Sequence, residues 1–101
     1  MIIGTTPTFT LTLPNTIDLG DAEHVKFTIE QFGQVISKDE TEMTISTNVV
    51  TVKLDQEDTI SFGDGIEAEI QLNWTYSEGS RAATKPKTIP MDKNLYKDVI
   101  E

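Results

Sequence analysis

The side chains of this sequence that could perform acid–base or nucleophilic chemistry are one histidine, five serines and seventeen acids. A histidine that activates a serine must be oriented by a carboxylate and must lie beside its nucleophile. His24 is the single histidine, and no serine lies in the G-x-S-x-G pattern of a nucleophile elbow. The sequence therefore favours an exposed strand histidine, and we predict no catalytic residue and no enzymatic activity.

The acids fall into short groups, which raises the question of glycoside cleavage. These groups are Asp18, Asp21 and Glu23; Asp39, Glu40 and Glu42; Asp55, Glu57 and Asp58; and Glu67 and Glu69. A glycosidase needs two carboxyl groups across a sugar-sized cleft, one of them with a raised pKa. Here the acids fall in predicted turns or on a solvated strand face. We interpret them as charges that keep the protein soluble.

Metal binding is the second chemistry that acids could support. Residues 55–58 and 63–65 offer oxygen ligands, which leaves a weak calcium site open, although the ligand spacing of an EF-hand is missing. One histidine and no cysteine disfavour zinc and exclude disulfides. We predict no specific metal and no cofactor.

Charge is distributed unevenly along the chain. Residues 1–80 carry a net charge of −11, whereas residues 81–101 carry +2. An acidic surface repels nucleic acid and anionic lipid, so we expect neither as a partner. The basic side chains at the end of the chain are the predicted partner contacts, either with the acidic body of this chain or with a neighbouring molecule. They are Arg81, Lys85, Lys87, Lys93 and Lys97.

The elements that must position these side chains are β-strands. Residues 66–76 alternate apolar and polar side chains, a period of two that is typical of a strand with one buried face. Trp74 and Tyr76 share the apolar side of this strand, so we place them in the core. At 101 residues the chain forms one domain, and it contains no apolar run of the ~20 residues that span a bilayer.

Turn signals about every ten residues predict an all-β fold, a single antiparallel immunoglobulin-like β-sandwich of six to eight strands. The sandwich is expected over residues 1–90, and residues 91–101 form a short tail that looks helical from residue 92. One helical turn is expected at residues 55–59, with Asp55 as its cap. The other predicted strands cover residues 8–13, 24–31, 34–38, the segment around Met43 and Ile45, 50–54 and 81–89.

The last hairpin permits a prediction of register. If Asn73 faces Lys85 and Gln71 faces Lys87, both lysines lie on the solvated face near Glu69. A slip by one residue would turn the lysines toward the core, which is costly. We therefore predict a four- or five-residue loop near Gly79. Since proline cannot donate a ladder hydrogen bond, Pro86 predicts an edge strand or a break.

Several blocks together resemble a family of proteins of about a hundred residues that are encoded in phages and prophages of Gram-positive bacteria. The blocks are residues 4–14 (GTTPTFTLTLP), 25–29, 35–38 (VISK), 52–62 (VKLDQEDTISF) and the strand through residue 71. The resemblance covers about residues 2–90, whereas the strand around Pro86 and the tail are less familiar. It implies a layout similar to the N-terminal β-sandwich of upper baseplate proteins, and it brings no catalytic residues.

The expected function is therefore that of a virion structural protein, associated with the tail or baseplate and acting through contacts with other virion proteins or with itself. Because the N-terminus lacks the pattern of a signal peptide, we expect synthesis in the host cytoplasm followed by assembly into the virion. The alternative is a carbohydrate- or receptor-binding sandwich module. That alternative requires an exposed aromatic platform, for which Phe32, Tyr96 and Tyr76 are the candidates.

Overall fold

The computed structural model describes residues 1–96 and 98–100, and it places eight strands in two antiparallel sheets. The strands are β1 (Thr8–Thr12), β2 (Ala22–Gln31), β3 (Gln34–Asp39), β4 (Met43–Ser46), β5 (Val49–Lys53), β6 (Ala68–Tyr76), β7 (Arg81–Ala83) and β8 (Lys87–Ile89). One sheet has the order β1-β5-β4, and the other has the order β3-β2-β6, with β7 and β8 both paired to β6. The predicted all-β antiparallel sandwich is confirmed.

The larger sheet is built around the pair β2 and β6, whose alternating sequences match in register. Phe27 faces Leu72 and Ile29 faces Ile70, and all four side chains are buried. Cross-strand apolar pairs of this kind are the unit from which a sheet derives its stability. Trp74 is also buried, as the alternation predicts, whereas Tyr76 is half-buried at the end of the strand.

The smaller sheet packs onto this pair through β1 and β5. The Phe9 ring lies 5.5 Å from the Phe27 ring between centroids, which joins β1 to β2 of the other sheet. Val50 and Val52 of β5 are fully buried in the same core. Aromatic contacts across the two sheets add to the free energy gained from apolar burial.

The predicted helical turn is present as α1 (Gln56–Thr59). Asp58 Oδ2 accepts a hydrogen bond from the Asp55 backbone N–H at 2.9 Å and lies 2.9 Å from Lys38 Nζ. Burial acts to raise the pKa of the Asp58 carboxyl, but the hydrogen bonds from Asp55 and Lys38 outweigh it and lower that pKa overall. The hydrogen bond to Asp58 raises the pKa of Lys38 in turn. This pair fixes α1 to β3.

The predicted register of the last hairpin is wrong, although the break at Pro86 is confirmed. A four-residue loop, residues 77–80, leads into β7, and Asn73 then faces Ala83 rather than Lys85. After the break, Lys87 faces Ile70 rather than Gln71. The reason is an irregularity at Thr84: its N–H donates to the Leu72 carbonyl and its Oγ1 accepts from the Leu72 N–H. An extra residue therefore separates the two pairings.

The tail also differs from the prediction, because its described residues contain no helix. Asp92 pairs with Ile2 in a parallel bridge, and the Asn94 side chain donates to the Ile3 carbonyl at 2.9 Å. These extended contacts with the start of the chain engage backbone groups that a helix would need. The Met91 side chain is buried in the core. Within the described residues, no helix is long and apolar enough to cross a membrane.

Candidate functional site

A groove of about 460 Å³ lies between the two sheets where the edge of β1 passes the edge formed by β7 and β8. Its apolar lining comes from both sheets, and its polar lining comes from β1 and from the segment around the Pro86 break. The lining residues are Phe9, Thr10, Leu11, Thr12, Leu13, Ile70, Thr84, Lys85, Lys87 and Ile89. We call this feature the edge groove.

One side of the edge groove is an unpaired strand edge. In the described structure β1 pairs with β5 alone. The Pro7 carbonyl accepts from Leu54 N–H, and Leu13 N–H donates to the Asn48 carbonyl, so the odd-numbered residues of β1 make the hydrogen bonds to β5. The even-numbered residues then direct their backbone N–H and C=O groups to the free side. These residues are Thr8, Thr10 and Thr12, all of them exposed.

The other side of the edge groove carries two of the predicted contact residues. Lys85 and Lys87 are both exposed and both line the groove. The shift at Thr84 is what brings them there, since the predicted register would have placed them on the outer face of the sheet. No carboxylate of the described residues lies within 4 Å of either ammonium group. The structure therefore sets two lysines beside an apolar surface.

Two other predicted contact residues, Arg81 and Lys93, lie elsewhere in the described structure. The Arg81 guanidinium donates to Asn73 Oδ1 at 3.1 Å on the outer face of the larger sheet, in a shallow depression shared with His24 and Lys26. Lys93 is exposed on the tail, and Lys97 lies outside the described residues. The four predicted cations that the structure describes thus do not form one surface.

His24 is an exposed residue of β2, as the sequence indicates, and its environment is acidic. The ring Nδ1 donates to Glu40 Oε1 at 2.9 Å, and the ring Nε2 lies 3.9 Å from Glu23 Oε1. A backbone hydrogen bond first, and then the bond from His24, lower the pKa of the Glu40 carboxyl. The described residues contain no group of three or more histidines and acids placed to hold a metal ion.

A second feature is one end of the larger sheet, where three segments that carry exposed apolar side chains are joined. Hydrogen bonds join its segments: Gln31 Nε2 donates to the carbonyls of Gly63 and Ile66, and the Gly65 N–H donates to the Met91 carbonyl. These contacts bring together the β2–β3 turn, the loop before β6 and the tail. We call this feature the apolar end. Its exposed large apolar side chains are Phe32 of the turn, Ile66 of the loop, and Leu95, Tyr96 and Ile100 of the tail, whereas the exposed Ile2 and Val35 belong to other segments.

The strand β6 begins two residues later than the alternation predicts, because the Gln31 side chain holds the preceding residues in a loop. The alternation begins at Ile66, but the strand begins at Ala68. The buried Gln31 side chain holds the preceding loop, and its Oε1 accepts from the Gly63 N–H at 2.7 Å. Ile66 is consequently exposed in a loop rather than buried in the sheet.

Sequence reasoning missed the groove residues that matter most. The alternation in β1 correctly predicts that Phe9 and Leu11 point inward, but both are only half-buried because they line an open groove. Thr84 carries no sequence signal of its role. The one available hint was Pro86, which marks the break that places Lys85 and Lys87 at the groove.

Comparison with known proteins adds no family to these observations. No protein-family model matches the sequence, and no curated protein matches it either. Function is therefore argued from the residues and their geometry.

Proposed function

We propose that this protein is a non-enzymatic structural component of a phage or prophage virion, associated with the tail or baseplate, and that it acts through protein–protein contacts. The sequence blocks that resemble small phage and prophage proteins of Gram-positive bacteria support the virion setting. A two-sheet sandwich with free edges supplies surfaces for repeated association. Assembly after cytoplasmic synthesis is part of the same proposal.

The single observation that carries the contact function is the apolar end. Phe32 is 87% exposed and Leu95 is 86% exposed, in a chain whose net charge is −9. Large apolar side chains exposed on joined segments are typical of a surface that another protein covers. The neighbouring acids Glu30, Glu67 and Glu69 surround Phe32 with negative charge. A covering protein that is apolar at its centre and basic at its rim would match this surface.

The proposal is tested on particles from an induced lysogen that encodes the chain. We expect mass spectrometry to find the protein in purified particles and immunogold labelling to mark the tail. Replacement of Phe32 and Leu95 by serine should reduce incorporation strongly while leaving the thermal unfolding midpoint close to that of the parent, since both side chains are exposed. A matched control is Ser77→Ala with Glu78→Gln, two exposed positions in the loop between β6 and β7. Protein that accumulates in the lysate but is missing from the particles would overturn the proposal.

The alternative of a carbohydrate- or receptor-binding module has one observation in its favour, the exposure of Phe32 and of Tyr96, which is 57% exposed. Tyr76 does not join them. It faces Ala22 at the opposite end of β2 from Phe32, and its Oη accepts from Trp74 Nε1 at 3.2 Å. Glycan-array binding that is lost in Phe32→Ser or Tyr96→Ser would favour this alternative over an assembly role.

A further inference from the structure

We propose that the free edge of β1 and the edge groove form a docking site for an extended segment of a partner protein, which adds a fourth strand to the smaller sheet. The groove-facing side chains of that segment are apolar and acidic. This inference deepens the proposed assembly function, and it rests on that function for its biological meaning. The physical case rests on β1, on the groove floor and on the two lysines.

The backbone of β1 supplies the first part of the site. Thr8, Thr10 and Thr12 present unpaired N–H and C=O groups at regular spacing, which is the template used in β-strand addition. Pro14, the next residue on that side, has no N–H, so the ladder of donors ends at Thr12. The site therefore fits a short segment of about five to seven residues, at the ~3.4 Å rise of an antiparallel strand.

The sequence of β1 leaves this edge unprotected. Edge strands commonly carry lysines, prolines or bulges that prevent pairing with another chain. The strand TFTLT contains no charge, no proline and no irregularity in its pairing with β5. Its outer side chains are threonines, which suit cross-strand pairing.

The floor of the groove supplies affinity for apolar side chains. A strand added beside β1 directs alternate side chains toward the second sheet. There they meet the half-buried Phe9 and Leu11 from one sheet and Ile70 and Ile89 from the other. Ile70 is already buried, so the apolar surface removed from water comes from the half-buried Phe9, Leu11 and Ile89.

The two lysines determine the charge of the partner. Lys85 and Lys87 border the groove, and no described carboxylate pairs with them although the chain is strongly acidic. An acidic side chain on the added strand would satisfy them, whereas a basic one would be repelled. A second copy paired β1 to β1 would bring the lysines of both molecules to one seam. The charge therefore favours an acidic segment of a different protein.

The test uses a capped peptide, TVTETVT, whose valines and glutamate point into the groove when its threonines face outward. Titration into isotopically labelled protein should shift the amide signals of Thr8, Thr10 and Thr12 and slow their hydrogen exchange. The amides of Phe9 and Leu11 should change little in exchange because they already bond to β5. Replacing the peptide glutamate by lysine should weaken binding by at least about tenfold.

Two further arms separate backbone pairing from charge. The same peptide with its threonine amide nitrogens methylated should not bind, since in an antiparallel pairing these nitrogens donate to β1 when the valines point into the groove, and the methyl groups leave the peptide's charge unchanged. Lys85→Gln with Lys87→Gln should remove most of the preference for glutamate over lysine. Thr10→Pro should abolish binding, because the lost N–H points to the free side, where proline is tolerated on an edge strand.

Equal binding of the glutamate and lysine peptides, undiminished binding of the methylated peptide, or protection at strands other than β1 would overturn the inference. So would concentration-dependent self-association through β1 without peptide binding, which would make a second copy the occupant. Failure of this test leaves incorporation into particles unaffected if the apolar end alone mediates assembly. Absence of the parent protein from purified particles, with peptide binding intact, would instead overturn the proposed function and leave this inference standing.

Discussion

The two strand edges that border the groove face each other, yet they are protected very differently against pairing with another chain. The β7–β8 edge is interrupted between Ala83 and Lys87, contains Pro86 and carries lysines on both sides of that proline. The β1 edge is continuous and uncharged. The devices that blunt an edge strand are therefore concentrated on one side of the groove. Of the two edges, β1 is therefore the one whose sequence leaves it open to pairing, as the proposed docking site requires.

The two edges also differ in the side-chain contacts that each of them makes. β1 contacts the second sheet through the Phe9 ring, which packs against Phe27, and its register with β5 is unbroken. At the other edge the Thr84 side chain replaces a partner in the ladder to β6. The Thr84 hydroxyl group thus lies where the pairing of β7 with β6 ends, and the pairing of β8 with β6 begins with its register shifted by one residue.

The largest expected effect comes from releasing β1 from the second sheet. Phe9→Ala removes the contact with Phe27 and enlarges the groove, and we expect it to lower the free energy of unfolding by about 2 kcal/mol because the ring is half-buried. Chemical denaturation measures this loss. Hydrogen exchange should show that β1 is destabilised more than β7 and β8. Thr10→Ala, an exposed change on the same strand, is the control and should cost less than about 0.5 kcal/mol.

A smaller loss of stability is expected from removing the Thr84 hydroxyl group at the other edge. Thr84→Ala leaves the Leu72 N–H without the acceptor that it now has at 3.0 Å, at a cost of about 1 to 2 kcal/mol. The matched control is Thr88→Ala on β8, whose side chain is exposed. If the two variants unfold at the same denaturant concentration, the Thr84 hydroxyl does not define this edge.

A third prediction concerns β3, the far edge of the larger sheet, where Lys38 forms an ion pair with Asp58 of α1. Asp58→Asn weakens both the α1 cap and the pair with Lys38, and we expect a loss of about 1 kcal/mol near neutral pH. Because the pKa of Asp58 is lowered in the folded protein, its contribution is present above the unfolded pKa of about 4 and is lost as the pH falls through the folded value. The stability difference between parent and variant should therefore shrink below about pH 4. A difference that is unchanged at low pH would contradict this account.

The smallest effect on stability is expected from removing the two lysine charges of the β7–β8 edge. Lys85→Gln with Lys87→Gln should change the free energy of unfolding by less than about 0.5 kcal/mol, because both side chains are exposed. The same variant should self-associate more readily than the parent, since the repulsion between two groove rims is removed. Sedimentation velocity at low and high salt measures this change. Association of the parent should rise toward that of the variant as salt screens the lysines.

Much of the fold could be predicted from the sequence because its causes are local. The alternation of β6 predicts its buried face, and the acidic turn at residues 55–59 predicts α1 with Asp55 as its N-cap. The helix in the tail was predicted wrongly because the contacts that decide its conformation are not local. Leu95 and Val99 have helical spacing, but backbone pairing of Asp92 with the start of the chain is a non-local contact that no local pattern reports.

The candidate site was predicted in part. Lys85 and Lys87 were predicted to mark a contact surface, and the structure places both at one groove, whereas Arg81 lies on another face and Lys93 on the tail. Their position depends on register, and a shift of one residue turns a side chain to the other face of a sheet.

The sequence by itself determined that this protein is an antiparallel β-sandwich with an acidic body, because side-chain periodicity and charge are properties of the chain alone. Only the tertiary structure decided which face of the last strands meets solvent and which strand edge is left open. Both depend on the pairing of residues far apart in sequence, where one hydroxyl at Thr84 can shift a register. The position of the lysines beside the open edge of β1 therefore follows from tertiary packing, which no local sequence pattern reports.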